Sequence, residues 1–140
     1  MSVEENKALI RLMYDFGNRR QFNEYAECMA QSCVFHFTDR DWTRQQEIDL
    51  GPAWFGAFPD IVSTVEDVIG EGDKVAFRVT HRGTHKGKFM GIPPTGNKIE
   101  MTNTAIYRIA GGKVVEGWVT TDDLRFRQQL GVIPSPPTRA

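Results

Sequence analysis

The apolar residues of this chain change their spacing near residue 60. Before that point they recur at helical intervals. Leu9, Leu12, Met13 and Phe16 share one face, and Phe22, Tyr25, Ala26 and Met29 repeat the pattern over a shorter stretch. From Ile61 onward apolar and polar residues alternate, in runs separated by glycine-rich turns. A helix buries residues three and four apart, and a strand buries every second one, so neither pattern suits the other element. Helices first and strands later define an α+β domain: N-terminal helices packed into a cone-shaped, strongly curved, mostly antiparallel sheet.

Local signals place the boundaries. Ser2 and Glu5 fit a capping box, which starts an amphipathic helix over residues 3–17. A second helix follows through Met29, and Val34–Phe37 reads as a short strand. Pro52 suits the first turn of a third helix, whose buried side is Trp54, Phe55 and Phe58 before Pro59 stops it. Strands are expected at 61–69, 74–85, 98–109 and 113–121, with hairpin turns at Gly70–Asp73 and Ala110–Gly112. Residues 87–96 form a longer connection stiffened by Pro93 and Pro94, and a last helix covers 122–130. One domain spans 1–133. The proline-rich tail 134–140 cannot continue a helix and is expected to be a loose or clasping arm.

Composition removes several functions. The 140 residues carry a net charge of −1 with no basic run, which argues against nucleic acid or an anionic membrane as partner. No apolar stretch approaches the roughly 20 residues of a membrane span. The N-terminus is polar and acidic, unlike a signal peptide, which points to the cytoplasm. In that reducing setting Cys28 and Cys33 are read as buried thiols rather than a disulfide. There is no phosphate-binding Gly-Lys-Ser/Thr loop, no dinucleotide glycine fingerprint and no serine-hydrolase elbow.

The candidate chemical residues are few. His81 and His85 have the spacing of zinc ligands on a helix, but on a strand four residues span about 13 Å, so no metal site is expected. No cofactor is expected either. His85 shares strand parity with Val75, Phe77 and Val79, so it could orient a ligand or donate a proton at the mouth of an apolar face. The alternative is a histidine satisfied by a nearby backbone carbonyl. Asp122 and Asp123 open the last helix. One of them caps it, and the other, taken as Asp122, enters the cavity mouth as a general acid or base. Asn103 lies in an apolar series with Met101, Ala105 and Tyr107. It could bind a substrate carbonyl or tie down a neighbouring backbone group. Trp54, Trp118 and Tyr14 complete the candidate ligand contacts, with core packing as the alternative for the tryptophans. Asp39 and Asp60 are reserve acids.

A set of short motifs resembles one family over essentially the whole chain. These are Ala57-Phe58-Pro59-Asp60, Gly72-Asp73-Lys74-Val75, Gly83-Thr84-His85-x-Gly87, Gly91-Ile92-Pro93-Pro94-Thr95-Gly96, Tyr107-Arg108, Gly112-Lys113, Glu116-x-Trp118 and Gln129-Leu130-Gly131. Together they resemble the SnoaL-like polyketide cyclase and ester cyclase family of the nuclear-transport-factor-2-like superfamily. The resemblance implies one cone-shaped apolar pocket for a small-molecule ligand and a homodimer formed through the convex sheet face. Some members close a polyketide ring by intramolecular aldol chemistry, with an acidic residue taking the proton and neither metal nor organic cofactor. Relatives in antibiotic pathways are linked to hydroxylation.

The chain departs from the cyclase pattern where chemistry is concerned. The acid/base aspartate of the cyclases aligns with Val119, a histidine with Gly117 and a further pocket histidine with Ala105. The expectation is therefore a cofactor-independent cyclase or isomerase acting on an apolar, carbonyl-rich molecule, with Asp122 as acid/base and His85 as electrophile. A hydroxylase-like or hydrolytic relative and a non-catalytic ligand carrier are the alternatives.

Overall fold

The computed structural model describes residues 2–135. The tail beyond Ser135, and most of the expected arm, lies outside them. Helix α1 (Val3–Asn18) begins where Ser2 accepts the Glu5 N–H at 3.1 Å, and it buries Asn6, Ile10 and Met13. Its last residue clamps the sheet: Asn18 Nδ2 donates to the Ser63 carbonyl, and the Ser63 N–H donates to Asn18 Oδ1, both at 2.8 Å. Helix α2 (Phe22–Glu27) is shorter than its apolar pattern. Met29 is not helical; it starts strand β1 (Met29–His36), pairs with Val114 and is 1% exposed. Pairing with a distant strand overrides the local helical spacing there.

The third helix also differs from expectation. After β2 (Asp41–Thr43), α3 runs Arg44–Ala57 and starts eight residues before Pro52. Its start is a capping box: the Gln46 N–H donates to Thr43 Oγ1 at 3.2 Å, and the Thr43 N–H donates to Gln46 Oε1 at 2.8 Å. Pro52 is therefore tolerated inside the helix, at the cost of one backbone hydrogen bond.

Strands β3 (Val62–Glu71), β4 (Lys74–Thr84), β5 (Lys98–Ala110) and β6 (Lys113–Thr121) form an antiparallel meander. The six-stranded sheet has the order β2-β1-β6-β5-β4-β3, and it is open. β1 joins β6 in parallel, which no local signal announced. Register shifts at Val65/Asp67 and Arg108/Ile109 add twist and curvature. Helix α1 packs on β3 and β4, and α3 packs on β1, so both lie over the concave face. A first core cluster, with Ile10, Met13, Phe35, Phe77, Val79 and Tyr107, fills that face. A second, with Phe58, Ile61, Phe89, Ile99, Phe126 and Leu130, lies under the 85–97 connection and α4 (Asp123–Gln129). No helix is long and apolar enough to cross a membrane among the described residues. Cys28 and Cys33 are free and buried.

The Asn18 clamp is a single side chain joining helix to sheet. Asn18→Ala leaves the Ser63 N–H and C=O without these partners and is expected to cost about 1–3 kcal/mol. Urea denaturation measures the loss, and hydrogen exchange should show faster opening at Ser63 than at Val79.

Candidate functional site

The roofed concave face encloses a cavity of about 670 Å³. Phe35, Phe77, Ala105 and Val119 line it from the sheet, and Trp54 lines it from α3. Exposed Phe22, Met90 and Val132 stand at its rim. Within this apolar lining one polar row crosses four strands: Ser63, His81, Asn103 and Thr121. Register creates the row. Ser63 lies opposite His81, Asn103 lies opposite Thr121, and Asn103 opposes Val79, diagonal to His81.

His81 is the centre of the row. Its Nδ1 lies 2.7 Å from Ser63 Oγ, and its Nε2 lies 3.4 Å from Asn103 Nδ2. Burial pushes its pKa down to about 4, so the imidazole is neutral near pH 7. With the Asn103 amide nitrogen facing Nε2, the consistent assignment has Nδ1–H donating to Ser63 and Nε2 holding the free lone pair. Asn103 Oδ1 is then buried without a partner. Tyr14 and Trp54 flank the ring with centroids 6.3 and 6.0 Å away.

A second polar group lies on the helix side. Glu47 enters from α3, and the Tyr25 hydroxyl donates to its Oε1 at 3.0 Å. Burial raises the Glu47 pKa above the ordinary carboxylate range, with Tyr25 and Trp42 partly offsetting it. Burial also pushes the Tyr14, Tyr25 and Tyr107 phenols upward.

Of the sequence-derived candidates, Asn103, Trp54 and Tyr14 line the cavity. Trp118 does not. It follows Gly117 and precedes Val119, so its parity is outward; it is 38% exposed, stacks on His36 at 5.7 Å and carries Lys74 over its ring at 5.5 Å. Asp122 does not line it either, because it caps α4 by accepting the Arg125 N–H at 3.2 Å. Asp123 borders the cavity instead, held by Arg127 Nε at 2.7 Å, so the two aspartates exchange their expected places.

His85 is fully buried outside the cavity. Phe58 packs against it at 5.4 Å, and the Thr95 N–H donates to its Nδ1 at 3.2 Å. It anchors the connection after β4, which Gly87 carries over the Gly56 carbonyl with no room for a Cβ. Phe58 and its second-cluster neighbours fill the concave side at that level, so His85 has no cavity to face. Asp60 is bound to Thr84 N–H and Oγ1 at 2.8 Å each, and Asp39 pairs with Arg40; neither lines the cavity.

His81 is the residue that sequence reasoning passed over. The alternation through Val75, Phe77 and Val79 reaches His81 before His85, but the spacing of the pair suggests only a metal ligand for His81. Glu47 carried no signal, because the polar start of α3 did not read as helix.

With the fold and cavity in view, the comparisons with known proteins are specific. The family model for SnoaL-like polyketide cyclases matches residues 7–130, and the chain belongs to that family. AclR from Streptomyces galilaeus, a proposed hydroxylase, is 31% identical with a TM-score of 0.90, over 98% of this chain and 87% of that one. IdmH from Streptomyces antibioticus, a proposed polyketide cyclase, is 32% identical with a TM-score of 0.78, over 90% of this chain and 98% of that one. A proposed SnoaL-like cyclase from Jannaschia is 24% identical, with a TM-score of 0.82 over 94% of each chain, and shares the fold. A search of curated proteins found no match.

The departures now have a location. Ala105 and Val119 face each other across β5 and β6 on the cavity wall. A Cβ at Gly117 would lie 2.7 Å from Phe35 and 2.8 Å from Tyr107, so those rings occupy the room a larger side chain needs.

The depressed His81 pKa fixes a pH dependence. The unfolded chain takes up the imidazole proton near 6.5 and the folded chain near 4, so stability is lost as pH falls through that window. The loss from this group is at most about 3 kcal/mol. His81→Gln should flatten that part of the stability–pH curve in urea denaturation, and NMR of the wild-type imidazole should show a midpoint near 4.

Proposed function

We propose that this protein is a cofactor-independent acid–base enzyme, a cyclase or isomerase acting on an apolar, carbonyl-bearing small molecule of polyketide type. The observation that carries the reading is a neutral imidazole, buried and oriented by Ser63, on the wall of a roomy aromatic cavity. His81 Nε2 takes a proton from a carbon beside a carbonyl. The C–H electron pair passes into the enolate, whose oxygen accepts from an Asn103 amide N–H. The 3.4 Å contact between Asn103 and Nε2 is long and yields easily to substrate. Imidazolium and enolate form together as a pair, which offsets the burial cost of each charge. In a cyclisation the enolate carbon attacks a second carbonyl, and the new alkoxide takes the proton back from His81. In an isomerisation the proton returns to another carbon.

Deuterium exchange at C1 of 2-tetralone in D₂O, followed by NMR, tests the first step without the natural substrate. Wild-type protein should accelerate exchange, and His81→Gln should lose about a hundredfold or more of that acceleration. Asp122→Asn should stay near wild type. Equal exchange by wild type and His81→Gln would remove His81 as the base, and no acceleration by wild type would favour a ligand carrier. The likeness to AclR favours a second reading, hydroxylation of an aromatic ligand in the same cavity. That reaction requires dioxygen and a reductant, and substrate-dependent oxygen uptake would select it.

The convex face supports a homodimer as the working assembly. Register aligns Ile69, Ala76, Ile106 and Trp118 across four strands, and Ile69 and Ile106 are 69% and 44% exposed. Light scattering should return twice the monomer mass at micromolar concentration, and Ile106→Glu should shift it to one. A wild-type monomer would reject the dimer.

A further inference from the structure

The proposed proton transfer uses only the sheet side of the cavity and leaves Glu47 and Trp42 without a task. Glu47 lines the cavity from α3, and Trp42 lines it from β2. Tyr25 donates to one carboxyl oxygen, at 3.0 Å, leaving the other open. The Trp42 indole Nε1 is buried and has no hydrogen-bond partner. An indole N–H can only donate. A protonated carboxyl also donates. When Glu47 carries its proton, two donors border one cavity, and the Trp42 N–H has no acceptor in the protein.

We infer that Glu47 and Trp42 form a second binding subsite, a donor pair that takes an acceptor oxygen of the ligand remote from the His81 wall. The inference rests on the reading of this cavity as the ligand site. Asn103 and Tyr107 both face the cavity from β5, and four strand residues separate the two levels by about 13 Å. A flat molecule can therefore meet His81 at one end while an oxygen at the other end reaches the donor pair. Phe35, Phe77, Ala105 and Val119 form the apolar wall between.

The subsite depends on the protonation of Glu47. The titratable groups around it are Tyr14 on α1, Tyr25 on α2, Cys33 on β1 and Tyr107 on β5. Burial pushes all four upward, Cys33 to about 12, so they stay neutral through the physiological range. Arg40 stacks over the Trp42 ring at 5.1 Å, and Arg44 is held by the Ala26 and Met29 carbonyls at 2.9 and 3.1 Å. Raising the pH ionises Glu47, turns its donor into an acceptor and repels a carbonyl oxygen.

Equilibrium dialysis of the full-length protein with 2-acetylnaphthalene and 2-ethylnaphthalene isolates this contact, because the probes differ chiefly by one carbonyl oxygen. Wild type at mildly acidic pH should prefer the ketone by about tenfold. That preference should fall as pH rises. Glu47→Leu should bring the two affinities within about threefold of each other, and Trp42→Phe should reduce the preference. Glu47→Gln keeps a neutral donor, so it should retain the preference and lose its pH dependence; this arm decides the matter if Glu47→Leu fails to fold. Failure to bind either probe, a wild type without preference, or a preference unaltered in Glu47→Leu would each overturn the subsite. So would a preference lost in His81→Phe but kept in Glu47→Leu, which would place the oxygen on the sheet wall. Binding is read without turnover, so failure here leaves the His81 exchange result standing, and the reverse also holds.

Discussion

Parallel pairing of β1 with β6 joins residues about eighty positions apart, as in the contact of His36 with Glu116. Parallel neighbours cannot be joined by a tight turn; the chain must cross over between them. Here that route includes β2, α3 and the β3–β5 meander, and it lays α3 over the concave side. The same pairing brings Phe35 against Tyr107, with ring centroids 5.3 Å apart, over Gly117. Without it α3 has no wall to pack on, and Glu47 and Trp54 do not reach the cavity.

Enclosure then sets the chemistry. Desolvation favours the neutral forms of both His81 and Glu47, with opposite consequences for pH. His81 resists taking up a proton, so acid destabilises the fold below about 6.5. Glu47 resists losing one, so the fold weakens as pH rises past the ordinary carboxylate range. Neutral forms are also useful forms: a free imidazole lone pair can accept a proton, and a protonated carboxyl can donate a hydrogen bond.

Family membership says less about this site than about its frame. Val119 and Ala105 face each other on the apolar cavity wall, and Gly117 is held small by the Phe35 and Tyr107 rings. The polar side chains of the sheet wall are Ser63, His81, Asn103 and Thr121, nearer the β6 end that leads into α4.

How much was legible in the sequence follows from the range of each interaction. Periodicity marked α1, the four meander strands and the α+β class, because burial on one face of a single element leaves its trace in neighbouring residues. It also placed Asn103 and Trp54 on inward faces. It failed at Met29 and at Arg44–Gly51, where a parallel partner and a side-chain cap outweighed local pattern. Strand parity applied to the whole of β4 would have marked His81, and applied to β6 it turns Trp118 outward. Whether an inward residue meets a cavity or a packed core is another matter. His81 and His85 share parity, yet one borders open space and the other lies beneath Phe58. That difference depends on what crosses above them, which only the tertiary arrangement of α3 and the 85–97 connection decides.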